Sequence, residues 1–427
     1  MKTIISPVKG TRDFYPEALA LRQWLYGELA RVSRAFGYQE YDGPFLEPMA
    51  LYAAKSGEEL VREQSFCFND RGGDEITLRP ELTPSLARMV AARQRQLPLP
   101  IRWWSFGPFW RYERPQKGRT REFFQWNIDL LGVESPEADA ELAAVAATFL
   151  RNVGLKSSQV YLQVNNRRLL EAELTRLGIA PELRGMVFRL IDRRDKMRAS
   201  EWEAYAADQG LNTTSIRGIS QLLENKDLWT KSEELQAFFQ AVKALGLEEY
   251  VEYDPTIVRG LDYYTGTVFE ARDRDGEFRA VLGGGRYDNL VGDVGGDRLP
   301  GVGFAMGDVV IQLVLEKFGC LPSLRAAPAQ VLVTTFGQGE VGASLDLGRR
   351  LREVGLLVEW YPTPDRLPKQ LKYADQAGIR FAVICGPDES ARGSVSLKDL
   401  AKREQIEVKV EVLAEEVRRR LLEATNA

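Results

Sequence analysis

What most restricts the fold of this chain is a series of short apolar segments separated by turn chemistry. Strand candidates recur at Ser65 to Phe68, Ile76 to Arg79, Arg102 to Arg111 and Gln125 to Leu131, with breaks such as NDRGGDE at Asn69 to Glu75. Consecutive strands without intervening helices imply an antiparallel sheet, because a parallel pair needs a long crossover. Ahead of them, Leu21, Leu25, Leu29 and Val32 recur at intervals of three and four, which predicts an amphipathic helix over Ala18 to Phe36, ended by Gly37. The stretch from Tyr38 to Pro48 is extended but holds two prolines, so it belongs at an edge or an interface.

From about Asn166 to Gly246 charge alternates with leucine, as in NRRLLEAELTRLG, and the segment reads as an inserted helical module. Extended sequence returns at Tyr250 to Ala271 and Arg279 to Leu282. A glycine-dense run follows, LGGGRYDNLVGDVGG, and then a strand leading into a helix, GVGFAMGDVVIQLVLEKFG. After a linker from Cys320 to Gln330, strands and helices alternate, which predicts a separate small α/β domain. The expected boundaries are 1–323, with 166–246 inserted in it, and 324–427.

Composition closes off several chemistries. The chain has no histidine, which excludes Ser-His-Asp triads, Cys-His dyads and imidazole acid/base catalysis. Its three cysteines, Cys67, Cys320 and Cys385, lie far apart, so neither a disulfide framework nor a zinc ribbon is expected. A net charge of -4 means that any nucleic-acid contact must be a local basic patch. No run of about 18 apolar residues occurs, and Met1 to Pro16 lacks a long apolar core, so a soluble cytoplasmic protein with no membrane span is expected.

Three segments concentrate chemistry. In FWRYERPQKGRTREFFQ, Phe109 to Gln125, five cations face only Glu113 and Glu122 between two strand candidates. Arginine forks there suit phosphate oxygens and Phe123 suits a stacked base, although a solvated hairpin loop has the same composition. In TLRPELT, Thr77 to Thr83, Glu81 and Thr83 follow a strand and suit a ligand ammonium, or Glu81 simply caps the next helix. VRGLDYYTGTVFEA, Val258 to Ala271, brings together a cation, a carboxylate and two phenols, as a polar pocket or as an edge strand. The glycines of Leu282 to Gly307 mark tight turns or a close approach to phosphate, but they fit neither a P-loop nor a dinucleotide fingerprint.

Taken in order, these segments resemble the histidyl-tRNA synthetases, a family of class II aminoacyl-tRNA synthetases, over nearly the whole chain. KGTRDFYP resembles the family's N-terminal signature, GYQEYDGPFLEP its motif 1 at the dimer interface and RYERPQKGRTREFFQ its motif 2. VRGLDYYTGTVFEA resembles the histidine-specific signature, and LPKQLKYADQAGIRFAVICG the anticodon-binding domain. The resemblance implies an α+β fold, in which a mainly antiparallel sheet flanked by helices binds ATP and L-histidine on one face, with a helical insertion and a C-terminal α/β anticodon-binding domain. It implies that Glu81, Thr83 and Gln125 hold the α-ammonium, while Asp129 with Tyr263 or Tyr264 takes the imidazole. Arg111 and Arg259 would be the catalytic cations at the α-phosphate, Glu113 and Phe123 would read and stack adenine, and Arg119 would meet the outer phosphates. Gln116 and Arg121 would touch the acceptor end of tRNA(His). Arg366, Lys369, Gln370 and Lys372 would meet its anticodon stem. Mg²⁺ would come with ATP, no resident metal is implied, and motif 1 implies a homodimer.

One position departs from the family's pattern. Its third motif continues after GFAMG to an arginine for the ATP γ-phosphate, and GFAMGDVVI puts Val310 there. Arg286 or Arg298 is the expected substitute. The same departure allows a second reading, a synthetase-like subunit that binds histidine without activating it, as in the regulator of ATP phosphoribosyltransferase.

Overall fold

The computed structural model describes residues 4–53, 64–194, 197–258, 263–324 and 328–425. It forms two compact units, one of Met1–Asp13 with Arg22–Leu321 and one of Phe14–Leu21 with Pro322–Ala427. The chain begins with α1 (Pro16–Ala35), β1 (Gln39–Glu40), β2 (Leu46–Pro48), α2 (Met49–Ala53), β3 (Phe66–Asn69), β4 (Glu75–Leu78) and α3 (Thr83–Arg93). A long hairpin, β5 (Ile101–Trp110) and β6 (Glu122–Leu131), leads to α4 (Pro136–Asn152) and β7 (Val160–Asn166). Among the described residues five α-helices come next, α5 (Arg167–Arg176), α6 (Arg184–Arg193), α7 (Ala199–Asp208), α8 (Thr213–Glu224) and α9 (Glu233–Ala244). The unit finishes with β8 (Val251–Tyr253), β9 (Thr267–Asp273), β10 (Leu282–Tyr287), α10 (Leu290–Asp293), β11 (Gly301–Gly307) and α11 (Asp308–Lys317).

Eight strands form one sheet in the order β1-β5-β6-β11-β10-β9-β7-β8. Its interior pairs are antiparallel, whereas β1 on β5 and β8 on β7, at the two edges, are parallel. Both exceptions are reached by long crossovers, the second through all five helices of α5 to α9, which is what a parallel pair requires. β2, β4 and β3 make a separate three-stranded sheet. The stretch from Tyr38 to Pro48 is therefore split between two sheets.

Strand alternation gives the large sheet two unlike faces. On β6, Trp126, Ile128 and Leu130 point into the main core with Val302, Phe304 and Met306 of β11, all 4% exposed or less. This core covers α4, whose alanine-rich face (Ala140, Ala143, Ala144, Ala147) lets the backbone approach closely around Leu142 and Phe149. Ser135 caps α4 by accepting from the Ala138 amide, with Pro136 in the first turn. Truncating Phe149 to Ala would cost about 3–5 kcal/mol through the cavity left behind.

The glycine run of LGGGRY is the buried strand β10 and not a set of turns, because it is paired on both sides, with β9 and β11. The second unit contains β12 (Val331–Val333), α12 (Val341–Glu353), β13 (Val358–Trp360), α13 (Leu367–Gln376), β14 (Phe381–Ile384), α14 (Pro387–Ala391), β15 (Ser394–Asp399), β16 (Glu404–Lys409) and α15 (Leu413–Thr425). Its sheet runs β13-β12-β14-β15-β16, parallel over the first three strands and antiparallel over the last three. The architecture is α+β with an antiparallel-rich sheet, as the segment pattern implies.

Candidate active site

The face of the large sheet opposite the core floors a cavity of about 750 Å³, within the range of small-ligand sites. The parity that sends Trp126, Ile128 and Leu130 inward turns Gln125, Asn127 and Asp129 to this side, and all three line it. Across the sheet, Gly303, Ala305 and Gly307 stand opposite Asp129, Asn127 and Gln125, and Gly283 and Glu270 continue the Asn127 row. Small residues keep this floor low. A Cβ at Gly303 would lie 2.1 Å from Asp129 Oδ1, so no other residue type lets that carboxylate lie across β11.

Asp129 is 3% exposed and accepts a hydrogen bond from the buried Tyr287 hydroxyl. Burial pushes its carboxyl up to about 7, against a smaller downward pull from the Tyr287 hydrogen bond. Tyr263 and Tyr264 line the same end, their rings 5.0 Å apart, with Tyr263 edge-on to Tyr287 at 6.1 Å. Glu81 and Thr83 complete it. Glu81 does not cap α3, whose N-cap is Leu82 without a side-chain bond, and it sits 6% exposed in the cavity wall.

The other end is basic. Arg111 donates to the Pro80 carbonyl at 2.9 Å and stands 5.3 Å over the Phe123 ring, which is itself stacked on Phe109. Arg119 Nε lies 2.9 Å from Glu113 Oε2 but is not aligned with it, and this buried N–H has no acceptor among the described residues. Arg111, Glu113, Arg119 and Phe123 also bound an adjoining lobe of about 160 Å³. Its remaining wall carries Arg279, Val309 and Val310. The expected residues thus converge, except that Arg259 lies outside the described residues.

Two expectations are corrected, Arg286 or Arg298 at the phosphate end and Gln370 on the surface. Arg286 belongs to the core face of β10, the parity opposite to Tyr287, and its guanidinium is held by Asp139 at 2.6 Å in α4. Arg298 is exposed on Glu134, and neither arginine lines the cavity. Arg121 stacks on Tyr112 at 3.9 Å and donates to the Glu113 carbonyl, so it braces the β5–β6 loop, while Gln116 is exposed at its tip. In the second unit, Arg366, Lys369 and Lys372 are exposed, Lys369 pairing with Asp365 at 2.9 Å. Gln370, by contrast, is 1% exposed and bonds both backbone groups of Thr335, which removes it from any surface. Asn127, Glu270, Arg272, Arg279 and Tyr287 were missed. The polar alternation of Gln125, Asn127 and Asp129 and that of Glu270 and Arg272 are the signals that could have found the first three of them.

No described helix is long and apolar enough to cross a membrane. A family model described as histidyl-tRNA synthetase matches residues 10–308, and one described as anticodon binding domain matches 330–420. The chain is 38% identical to a chloroplastic/mitochondrial histidine–tRNA ligase of Arabidopsis thaliana, over 96% of this chain and 86% of that protein. It is 40% identical to the histidine–tRNA ligase of Opitutus terrae, over 93% and 94%. The crystal structure of histidyl-tRNA synthetase from Nostoc sp. PCC 7120 superposes with a TM-score of 0.83 at 28% identity, covering 98% of this chain and all of that one. With a carboxylate-and-phenol end beside an arginine end on one face of such a sheet, this chain belongs to the histidyl-tRNA synthetase family.

Proposed function

We propose that the chain activates L-histidine with ATP and transfers the histidyl group to tRNA(His). The observation that carries this reading is the two-ended cavity, in which a buried acceptor for an azole N–H, Asp129, adjoins an end walled by Arg111 and Arg119. Histidine would lie with its α-ammonium toward Glu81, Thr83 and Gln125 and its ring against Asp129, with Tyr263 and Tyr264 alongside. ATP would lie with adenine on Phe123, its edge read by Glu113, and its phosphates toward Arg111 and Arg119. Arg259 is assigned the far side of the α-phosphate.

The first step is in-line attack of a histidine carboxylate oxygen on the α-phosphorus, forming the adenylate and expelling pyrophosphate. In the second, a terminal ribose hydroxyl of the tRNA attacks the activated carbonyl and AMP leaves. Neither step needs a protein nucleophile. Positioning and cationic stabilisation of the charge on phosphorus carry the barrier, which suits a site with no histidine. Mg²⁺ would neutralise the pyrophosphate oxygens. The ion would be held mainly by nucleotide and water, with Glu270 as a carboxylate in the cavity wall. Residues 1–323 would form the catalytic domain, with 166–246 inserted, and 324–427 the tRNA-binding domain, with Arg366 and Lys369 on the anticodon stem and Gln116 at the acceptor end. A cytoplasmic homodimer joined through motif 1 is part of the proposal.

One observation favours the non-activating alternative: Val310 makes an apolar wall beside the phosphate end. Histidine-dependent exchange of labelled pyrophosphate into ATP decides between them. Exchange with histidine alone supports the synthetase. Histidine binding without exchange replaces it with the regulatory reading.

A further inference from the structure

Behind the tyrosine pair lies a connected group of charges that the proposed chemistry does not use, buried at Arg286, Asp139 and Asp288 and partly exposed at Arg168 and Glu234. Arg286 grips Asp139 and lies 3.3 Å from Asp288, which is 2% exposed. Asp288 Oδ2 accepts from the Thr265 hydroxyl at 2.7 Å and from Arg168 Nη2 at 2.9 Å. Arg168 Nη1 donates to Glu234 of α9 at 2.7 Å, and Glu234 also accepts from Asn166, the residue that caps α5.

These contacts converge on three consecutive backbone carbonyls. Tyr264 O accepts from Arg167 Nη1 at 2.9 Å, Thr265 O from Arg168 Nε at 3.2 Å and Gly266 O from the Arg167 amide at 3.0 Å. The Thr265 amide donates to the Arg286 carbonyl at 2.8 Å. A loop residue normally leaves such groups to water, whereas here the first two residues of α5 take all three carbonyls. Tyr263 and Tyr264 sit immediately before this clamp, with their rings in the cavity and Tyr263 against the phenol that holds Asp129.

We propose that Arg167 and Arg168 are positioning residues for the amino-acid end of the cavity, fixing the tyrosine pair beside Asp129 and tying side-chain selection to the helical segment α5–α9. The inference rests on the synthetase reading for its substrate, but its geometry does not depend on catalysis. Neither arginine reaches the cavity floor, and both act through Tyr263 and Tyr264. By reciprocity, histidine in the cavity stabilises the foot of the helical segment as much as the clamp stabilises histidine.

Arg168 is the position to change, because its side chain is 42% exposed and its loss leaves the buried Arg286–Asp139 pair intact. Arg168→Ala should raise the KM for histidine about tenfold or more, the usual scale for misplacing a binding group. The KM for ATP, kcat at saturating histidine and the melting temperature should stay near wild type. Arg168→Lys keeps the charge but cannot reach Asp288, Glu234 and Thr265 together, and should fall between. In hydrogen exchange, L-histidine should slow the amides at the start of α5 and α9 in the wild type and not in Arg168→Ala. An unchanged histidine KM, or equal losses toward histidine and ATP, would overturn the clamp. If the wild type shows no exchange activity, the synthetase reading fails by itself, and histidine affinity by calorimetry then judges the clamp, equal affinities refuting it.

Discussion

Asp129→Asn separates what the buried carboxylate does for histidine from what it does to the fold. Asp129 begins from a usual value of 3.8 and burial carries it to about 7. Between those values the folded chain keeps a proton that the unfolded chain has released, so stability falls with rising pH across this window. The contribution is complete below about pH 4 and is lost as the pH passes about 7. A shift of roughly three units corresponds to about 4 kcal/mol, with little screening at 3% exposure. The amide in the variant would not titrate and can still accept from Tyr287. The variant without ligand should therefore melt roughly 5 °C or more above wild type at pH 8, and this advantage should shrink steadily toward pH 5. Its histidine affinity should fall by the worth of a charged hydrogen bond, about 1.5–3 kcal/mol, or roughly 10–150-fold. Thermal melts over pH 5–8 with and without histidine measure both. A variant that melts no higher than wild type at pH 8, or an advantage that ignores pH, would refute burial as the source of the raised value.

Other positions give sharper outcomes. Gly303→Ala should abolish histidine binding and cost about 1–3 kcal/mol, since its Cβ would meet Asp129 Oδ1 at 2.1 Å; wild-type affinity by calorimetry would contradict this. Arg119→Ala should raise the ATP KM and leave the histidine KM unchanged, and an unaltered ATP KM would place the outer phosphates elsewhere. Arg366→Glu with Lys369→Glu should raise the tRNA KM and flatten its salt dependence without affecting pyrophosphate exchange, and an unchanged KM would move that contact off α13.

The parts of the fold that sequence conveyed well were those with a single partner layer. The helix at α1 was legible from its three-and-four spacing, and the β5–β6 hairpin from apolar segments on either side of a polar loop. The β10 strand was opaque because its glycines carry no side chains to show alternation, so LGGGRY read as tight turns or as a close approach to phosphate. That one error hid two facts: Tyr287 faces the cavity, and Arg286 faces away from it. Had the run been recognised as a strand, adjacent residues on opposite faces would have ruled Arg286 out of phosphate binding. Gln370 misled for a related reason. A polar side chain on an amphipathic helix reads as solvent-facing, and only tertiary structure shows it satisfying the backbone of Thr335.

The two unlike faces of the central sheet imply two different records of tolerated change, which overlap at Asp129 and Gly303. Along 125–131 and 301–307, successive codons answer alternately to what the enzyme selects and to whether the chain holds together. A saturation library scored once for amino-acid preference and once for heat survival should give two traces of period two, out of phase by one residue. A family built on such a plate can revise its choice of substrate by editing every second position, except where a glycine such as Gly303 gives the neighbouring strand's side chain its room.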